Sequence, residues 1–80
     1  MFIVYVLYSQ LHEKIYIGFT SNMDNRLLSH NSLAKKGWTI KFRPWKVIHT
    51  ESFDNKADAM KREKQLKSAQ GRVFIQSLLT

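Results

Sequence analysis

The sequence predicts an α+β domain in which elements in the order ββαβαα build one small three-stranded antiparallel sheet flanked by helices. Three observations predict this class. Residues 2–8 are rich in β-branched and aromatic residues, which is typical of a strand. A short polar segment leads to a second such run at residues 14–18, and so short a link permits a hairpin but not a parallel crossover. Helical patterns follow at residues 23–36, 56–68 and 73–79.

The first half of the chain is predicted to form the hairpin and one helix. The strand at residues 2–8 is apolar on both faces, so we expect it at the centre of the sheet. Thr20, Ser21 and Asn22 each offer an N-cap to the helix at residues 23–36. Met23 and Leu27 give that helix an apolar stripe.

The second half is predicted to add one strand and two helices. Pro44 starts a third strand, residues 45–51, because proline is tolerated at a strand's first position. Asp54 or Asn55 is expected to cap the second helix, and Asn55 with Asp58 resembles a capping box. Gly71 is expected to break the chain before the last helix. Four residues of that helix are predicted to face inward: Phe74, Ile75, Leu78 and Leu79.

The length and composition exclude several classes of protein. Eighty residues predict a single domain, residues 1–80, with a small core. The absence of cysteine excludes disulfides and thiolate zinc sites. The longest apolar run, residues 2–7, is far shorter than the roughly 20 residues that span a bilayer, and no signal-peptide pattern precedes it. We therefore expect a cytoplasmic location and no membrane partner.

The charge is strongly positive and unevenly distributed. Thirteen basic and six acidic residues give a formal charge of +7. Residues 1–40 carry a net charge of +2, whereas residues 41–80 carry +5. A field of this sign favours phosphate backbones or acidic protein surfaces.

A basic, aromatic segment lies in the middle of the chain. Trp38, Phe42 and Trp45 alternate there with cations. Aromatic rings beside cations suit nucleic acid with exposed bases, but the same tryptophans would also suit the edge of a small core. Both interpretations stay open. The cations predicted to bind nucleic acid are Lys35, Lys36, Lys41, Arg43 and Lys46.

Glu63 interrupts the apolar stripe of the second helix. At 100° per residue, Ala59, Met60 and Leu66 define that stripe, and Glu63 lies between Ala59 and Leu66. A carboxylate in that position is costly unless it is paired or binds a metal ion. From spacing alone, Glu63 is either a metal ligand or a residue that reaches solvent or pairs with a lysine.

Two further pairs of residues suit phosphate chemistry. Arg26 and His30 are four residues apart on the first helix, so they project from one face toward one phosphate or toward solvent. Tyr5 and Tyr16 lie on strands predicted to pair, either as core residues or with their hydroxyls in a common site. Gly18, at the end of the second strand, is expected to be a turn residue or a place where substrate approaches the backbone.

These positions together resemble the GIY-YIG endonuclease family. Val4-Tyr5-Val6 keeps the tyrosine of the first half of the motif, and Tyr16-Ile17-Gly18 resembles the intact second half. Arg26 and His30 resemble the Arg-x-x-x-His of the following helix, and Glu63 resembles the metal-binding glutamate. The likeness spans nearly the whole chain and includes the Thr-x-x-x-Arg-Pro segment of short, stand-alone bacterial members, at residues 39–44 here.

The resemblance implies a metal-dependent hydrolysis of DNA phosphodiester bonds with low intrinsic sequence specificity. Glu63 would hold one Mg²⁺ or Mn²⁺, and Arg26 would bind the phosphate. Tyr5 would act as general base or orient the attacking water, and Tyr16 would hydrogen-bond the water or the phosphate. His30 would position the phosphate or relay a proton.

One family feature is missing. Many members carry an asparagine about twelve residues after the glutamate, where this chain has Ile75, and Gln76 is the nearest amide. Three hypotheses therefore remain: an endonuclease acting on DNA, branched or single-stranded DNA included; a catalytically weak nucleic-acid-binding module; and a basic domain that docks on an acidic protein. A protein partner for targeting is compatible with each.

Overall fold

The computed structural model of the chain describes residues 1–28, 30–31 and 38–79. The predicted α+β class and the order ββαβαα are confirmed. A short 3₁₀ helix, Trp38–Phe42, precedes the third strand. The remaining elements are β1 (Phe2–Ser9), β2 (Lys14–Thr20), α1 (Met23–Leu28), β3 (Lys46–Phe53), α2 (Lys56–Leu66) and α3 (Ala69–Leu79).

The sheet is antiparallel with the strand order β2-β1-β3, so β1 is central as predicted. Tyr5 of β1 lies between Gly18 of β2 and Thr50 of β3. A β-bulge shifts the β1–β3 register between Val6 and Leu7. Because successive side chains of a strand point to opposite faces, β1 supplies two separate cores.

One face of the sheet is aliphatic. Val4 and Val6 are buried there against Ala59 and Leu66 of α2 and Ile75 of α3. We call this the aliphatic face. Of the two predicted caps of α2, Asn55 is the one used: its Oδ1 accepts a hydrogen bond from the Asp58 backbone N–H at 2.9 Å.

The other face carries tyrosine. Tyr5 and Leu7 are buried there with Trp45, which is 4% exposed, and Met23 and Leu27 of α1 pack against them. We call this the tyrosine face. The core interpretation therefore holds for Trp45, whereas the side chain of Trp38 lies outside the described part of the chain.

Both of the glycines expected at breaks lie inside regular elements. Gly18 does not end β2, which continues to Thr20. Gly71 does not precede the last helix but lies buried inside α3. A Cβ at Gly71 would collide with the backbone of Gln65 and Leu66 at the end of α2. Glycine is therefore required because α2 and α3 approach closely, a tertiary reason that no local pattern contains.

Some predicted boundaries and faces were wrong. Met60 and Leu78 are each 39% exposed. Met60 is rotated by about 100° around the helix axis from Ala59. The buried stripe through Ala59 and Leu66 is narrow, so Met60 lies outside it and is exposed. Leu78 lies in the last turn of α3, beyond the buried Gly71 and Ile75. The last helix was predicted to begin at residue 73, but α3 begins at Ala69. The first helix was predicted to reach residue 36; α1 covers Met23–Leu28, and the predicted end lies outside the described residues.

None of the helices in the described residues combines the length and apolar character that crossing a membrane requires.

Candidate active site

The tyrosine face contains a buried hydrogen-bonded cluster centred on the hydroxyl of Tyr5. The side chain of Tyr5 is 0% exposed, and its oxygen lies 3.0 Å from His30 Nε2. Arg26 donates its Nε–H to the same oxygen at 3.3 Å. Since the guanidinium is only a donor, the Tyr5 O–H is free to donate to a neutral His30. Two neighbouring residues, Arg26 and His30, thus meet the oxygen of a strand residue more than twenty positions earlier in the chain.

The pKa values of the two central groups support this protonation pattern. Burial raises the pKa of Tyr5 above its usual value, although the Arg26 hydrogen bond opposes the shift. Repulsion from Tyr16 in its ionised form and from the Glu63 carboxylate raises that pKa further. Burial, then the positive charges of Arg26 and Arg43, lower the pKa of His30. At neutral pH, Tyr5 is therefore protonated and His30 is neutral.

Tyr16 extends the cluster toward the surface. Its ring stacks on Tyr5 with a centroid distance of 6.2 Å and lies 4.7 Å from the ring of His30. Hydrogen bonds from Arg26 to the Tyr5 hydroxyl, and also to that of Tyr16, raise the pKa of Arg26. One exposed guanidinium therefore holds two phenol oxygens. This arrangement pre-positions a cation beside two hydrogen-bonding hydroxyls.

Gly18 forms part of the wall of the cluster. A Cβ at this position would lie 2.7 Å from the Tyr5 hydroxyl oxygen and 3.2 Å from a ring carbon of Tyr16. The lack of a side chain thus leaves space for both tyrosines. The close approach that the strand pattern suggested at Gly18 is made by Tyr5.

Two residues fix the segment that carries His30. Asn31 Oδ1 accepts from the Trp45 backbone N–H at 2.6 Å, and Asn31 Nδ2 donates to the Trp45 carbonyl at 3.0 Å. Arg43 Nε donates to the His30 carbonyl at 2.6 Å. Because Asn31 takes both backbone groups of Trp45, β3 begins at Lys46 and not at Pro44.

The sequence analysis missed Asn31 altogether. The only local signal was its place directly after His30, and its partner is fourteen residues away. An amide that binds a distant backbone leaves no periodic pattern, so its role becomes visible only in the folded chain.

Glu63 lies on α2, the helix that packs on the aliphatic face. Its side chain is 19% exposed and forms an ion pair with Lys67 at 3.3 Å, and Lys67 is itself 54% exposed. The interpretation that Glu63 pairs with a lysine is thus confirmed. Its charge nevertheless acts on the Tyr5 hydroxyl. Contacts bring Tyr5, Tyr16, Arg26 and His30 together, and electrostatics links Glu63 to them.

The donor set at Glu63 fits one kind of metal site. The described residues contain no group of three His, Asp or Glu side chains that would form a cage. Mg²⁺ is commonly held by one or two carboxylates, with phosphate oxygens and water completing its shell. The partly exposed carboxylate of Glu63 suits that arrangement, provided that it leaves Lys67.

The predicted nucleic-acid-binding residues occupy different environments. Lys41 and Lys46 are exposed. Arg43 is half-buried and donates to the His30 carbonyl, so it also supports the site. Lys35 and Lys36 lie outside the described residues. Nearby, the Lys14 ammonium lies 5.6 Å from the centre of the Phe42 ring, which adds a further cation to this surface.

The other two histidines have separate contacts. His49 Nε2 lies 2.8 Å from Glu51 Oε2, and Arg62 Nε donates to both Glu51 oxygens at 3.0 Å. Burial raises the pKa of Glu51, but the bonds from His49 and Arg62 outweigh it and lower that pKa overall. His12 packs edge-on against Phe42.

Known proteins resemble the chain over nearly its full length. The family profile described as the GIY-YIG catalytic domain matches residues 1–75. A UPF0213 protein of Natronomonas pharaonis is 40% identical over 65 residues, which cover 81% of this chain and 75% of that protein. A UPF0213 protein of Halobacterium salinarum is 41% identical over 58 residues, or 69% of this chain and 75% of that protein.

A solved structure agrees with the fold. The solution NMR structure of a UPF0213 protein from Bacillus halodurans matches with a TM-score of 0.57 and 28% identity, covering 98% of this chain and 85% of that one. The GIY-YIG family consists of nuclease-type domains that are generally dependent on divalent metal ions. Since both the profile and the relatives span most of the chain, the resemblance is confirmed, and the chain belongs to the GIY-YIG family.

Proposed function

We propose that this protein is a divalent-metal-dependent endonuclease that hydrolyses DNA phosphodiester bonds with low intrinsic sequence specificity. The observation that carries the proposal is the shared guanidinium of Arg26, which contacts the hydroxyls of Tyr5 and Tyr16 beside a neutral His30. A buried hydroxyl and imidazole cost stability unless they are bonded to each other. Such a cluster beside an exposed arginine is suited to hold a phosphate and move a proton.

Arg26 is the phosphate-binding residue in this proposal. It is exposed, and a guanidinium has five N–H donors, so it can bind phosphate oxygens while it holds the tyrosines. Tyr16 is half-buried and is therefore the hydroxyl that first meets the water or the phosphate. Placed before reaction, these donors stabilise the charge that develops on the phosphate.

Tyr5 and His30 take the proton of the attacking water. As the Tyr5 oxygen accepts this proton, the Tyr5 hydroxyl proton passes to His30 Nε2 along the existing 3.0 Å bond. This relay avoids a free phenolate, which burial disfavours. Tyr5 is fully buried in this conformation, so DNA binding must open a path beside Arg26 or His30.

Glu63 is the proposed metal ligand, and either Mg²⁺ or Mn²⁺ suits a single carboxylate that shares the ion with phosphate and water. Bound there, the cation would stabilise charge on the phosphate and the leaving oxygen. Lys67 must release Glu63 for this to occur.

A catalytically weak DNA-binding module is the second candidate. Two observations favour it: the late asparagine of the family is absent, and Glu63 is engaged by Lys67. In that case, the tyrosine cluster would bind phosphate without cutting. The two candidates differ in turnover and not in affinity.

The test is cleavage of supercoiled, linear, single-stranded and branched DNA with Mg²⁺ or Mn²⁺, with and without chelator. Tyr16→Phe removes one hydroxyl from the cluster, and Tyr8→Phe removes one from the opposite face of the same sheet. We expect metal-dependent cleavage that falls at least about hundredfold in Tyr16→Phe and stays unchanged in Tyr8→Phe. Binding without cleavage on every substrate would favour the second candidate.

A further inference from the structure

A cleft opens beside the active site between the free edge of β2 and the helices of the aliphatic face. Its volume is about 580 Å³, within the range of sites that hold small ligands. Its floor is apolar and consists of Ile15, Ile17, Leu66 and Ile75. Leu66 and Ile75 are almost fully buried, so the floor is a rigid part of the core.

The rim of the cleft is polar and positive. Lys67, Arg72 and Gln76 line it, and the residues around the cleft include no carboxylate. Arg72 and Gln76 are both exposed and four residues apart on α3, so they lie on one side of that helix. An apolar floor beneath cations and an amide suits a ligand with a flat apolar body and an anionic group.

The cleft is continuous with the proposed active site at two points. Tyr16 lines the cleft and also belongs to the hydrogen-bonded cluster. Lys67 lines the cleft and pairs with Glu63. A strand whose phosphate lies at Arg26 and Glu63 therefore has its next nucleotide at the mouth of this cleft.

We propose that the cleft binds one unpaired nucleotide of the DNA strand that is cut, directly next to the scissile phosphate. The base would lie on the isoleucines, Arg72 would bind its phosphate, and Gln76 would hydrogen-bond its edge. A paired base is stacked on both faces, so only an unpaired base can enter. Phosphate alone would not require an apolar floor.

This inference rests on the proposed function and narrows its substrate to DNA with an unpaired nucleotide at the cut. In this inference, Gln76 hydrogen-bonds the base in the cleft and not the reacting phosphate.

The test is NMR titration of isoleucine methyl groups with a short oligothymidine, which measures binding without requiring cleavage. We expect the methyl signals of Ile15, Ile17 and Ile75 to shift in a saturable manner, while Ile3, outside the cleft, stays unchanged. A blunt duplex of equal phosphate content should leave the cleft signals unchanged. Shifts confined to other surfaces, or equal shifts with the duplex, would overturn the proposal.

Matched variants separate this inference from the proposed function. Arg72→Ala should weaken oligothymidine binding about tenfold, whereas Lys61→Ala removes the same charge from the exposed side of α2 and should have little effect. Equal weakening by both variants would indicate nonspecific charge and contradict the cleft. If the cleft signals shift but no DNA is cut, the nuclease proposal fails and the nucleotide site stands. If DNA is cut but the cleft signals do not shift, the nucleotide site fails and the nuclease proposal stands.

Discussion

The two faces of the sheet are built from one strand by different chemistry. On the aliphatic face, Val4 and Val6 meet only apolar partners among the buried residues of their cluster. On the tyrosine face, Tyr5 is just as deeply buried but carries a hydroxyl bonded to His30 and Arg26. The aliphatic face gains stability from burial alone, whereas the tyrosine face gives up part of that gain to desolvate polar groups.

This difference locates function within the fold. An aliphatic core of similar size in place of the tyrosine cluster would pack equally well. Stability alone therefore does not explain why a histidine is buried there beside a tyrosine that is hydrogen-bonded to an arginine. Changes on the aliphatic face should therefore act on stability, and changes on the tyrosine face should act mainly on activity.

The largest stability effect is expected on the aliphatic face. Ile75→Ala removes a fully buried side chain that contacts both α2 and the sheet, so we expect a loss of about 2–5 kcal/mol in the free energy of unfolding. Denaturant unfolding measures it. Ile75 also lines the cleft proposed to bind a nucleotide, so activity is compared in Val4→Ala, a buried change on the same face outside that cleft. Its cleavage per folded molecule should not change, and a selective loss of turnover in the fully folded Val4→Ala variant would break the comparison between the faces.

Tyr5→Phe should lower turnover more than it lowers stability. It leaves His30 Nε2 and Arg26 Nε without their shared oxygen, at a cost of about 1–3 kcal/mol in stability. It also removes the proposed proton acceptor, so turnover should fall about hundredfold or more. Kinetics at a temperature where the variant is fully folded checks this. Wild-type turnover would remove Tyr5 from the mechanism.

A pH titration of stability sharpens the same contrast. The pKa of His30 is lowered by burial and by Arg26 and Arg43, and its ring faces Tyr5 and Tyr16. The contribution of neutral His30 to the free energy of unfolding is therefore complete above the pKa of the unfolded state, about 6.5. It is lost as the pH falls through the lower pKa of the folded state. Wild type should lose more stability than His30→Asn between pH 7.5 and 5. Parallel losses would contradict a buried neutral imidazole.

The smallest effect is expected on the exposed basic surface. Replacing Lys41 and Lys46 by alanine should reduce the slope of log K against log salt for duplex DNA by about 1.8, if each contacts one phosphate. Lys56→Ala with Lys61→Ala is the control with equal charge loss. Equal slopes for the two double variants would show that DNA lies elsewhere.

The sequence predicted the helices and strands well, but it predicted poorly the roles of residues whose partners lie on other elements. The apolar run of β1, the capping box at Asn55 and the motif residues are local or ordered signals, and they located the sheet and four members of the site. Gly71 and Asn31 act through partners on other elements, so their roles were missed or misread. Lys67, which pairs with Glu63, was predictable only as one of several lysines.

The most direct test of the central claim compares two isosteric changes, Glu63→Gln and Glu51→Gln. Glu51 binds Arg62 and His49, so its change should lower the melting temperature and leave cleavage by the folded protein intact. Glu63→Gln removes the carboxylate charge that a divalent cation requires. We predict that it abolishes Mg²⁺- or Mn²⁺-dependent cleavage while folding and DNA binding persist. Full cleavage by Glu63→Gln would contradict the assignment of this site as a metal-dependent nuclease centre.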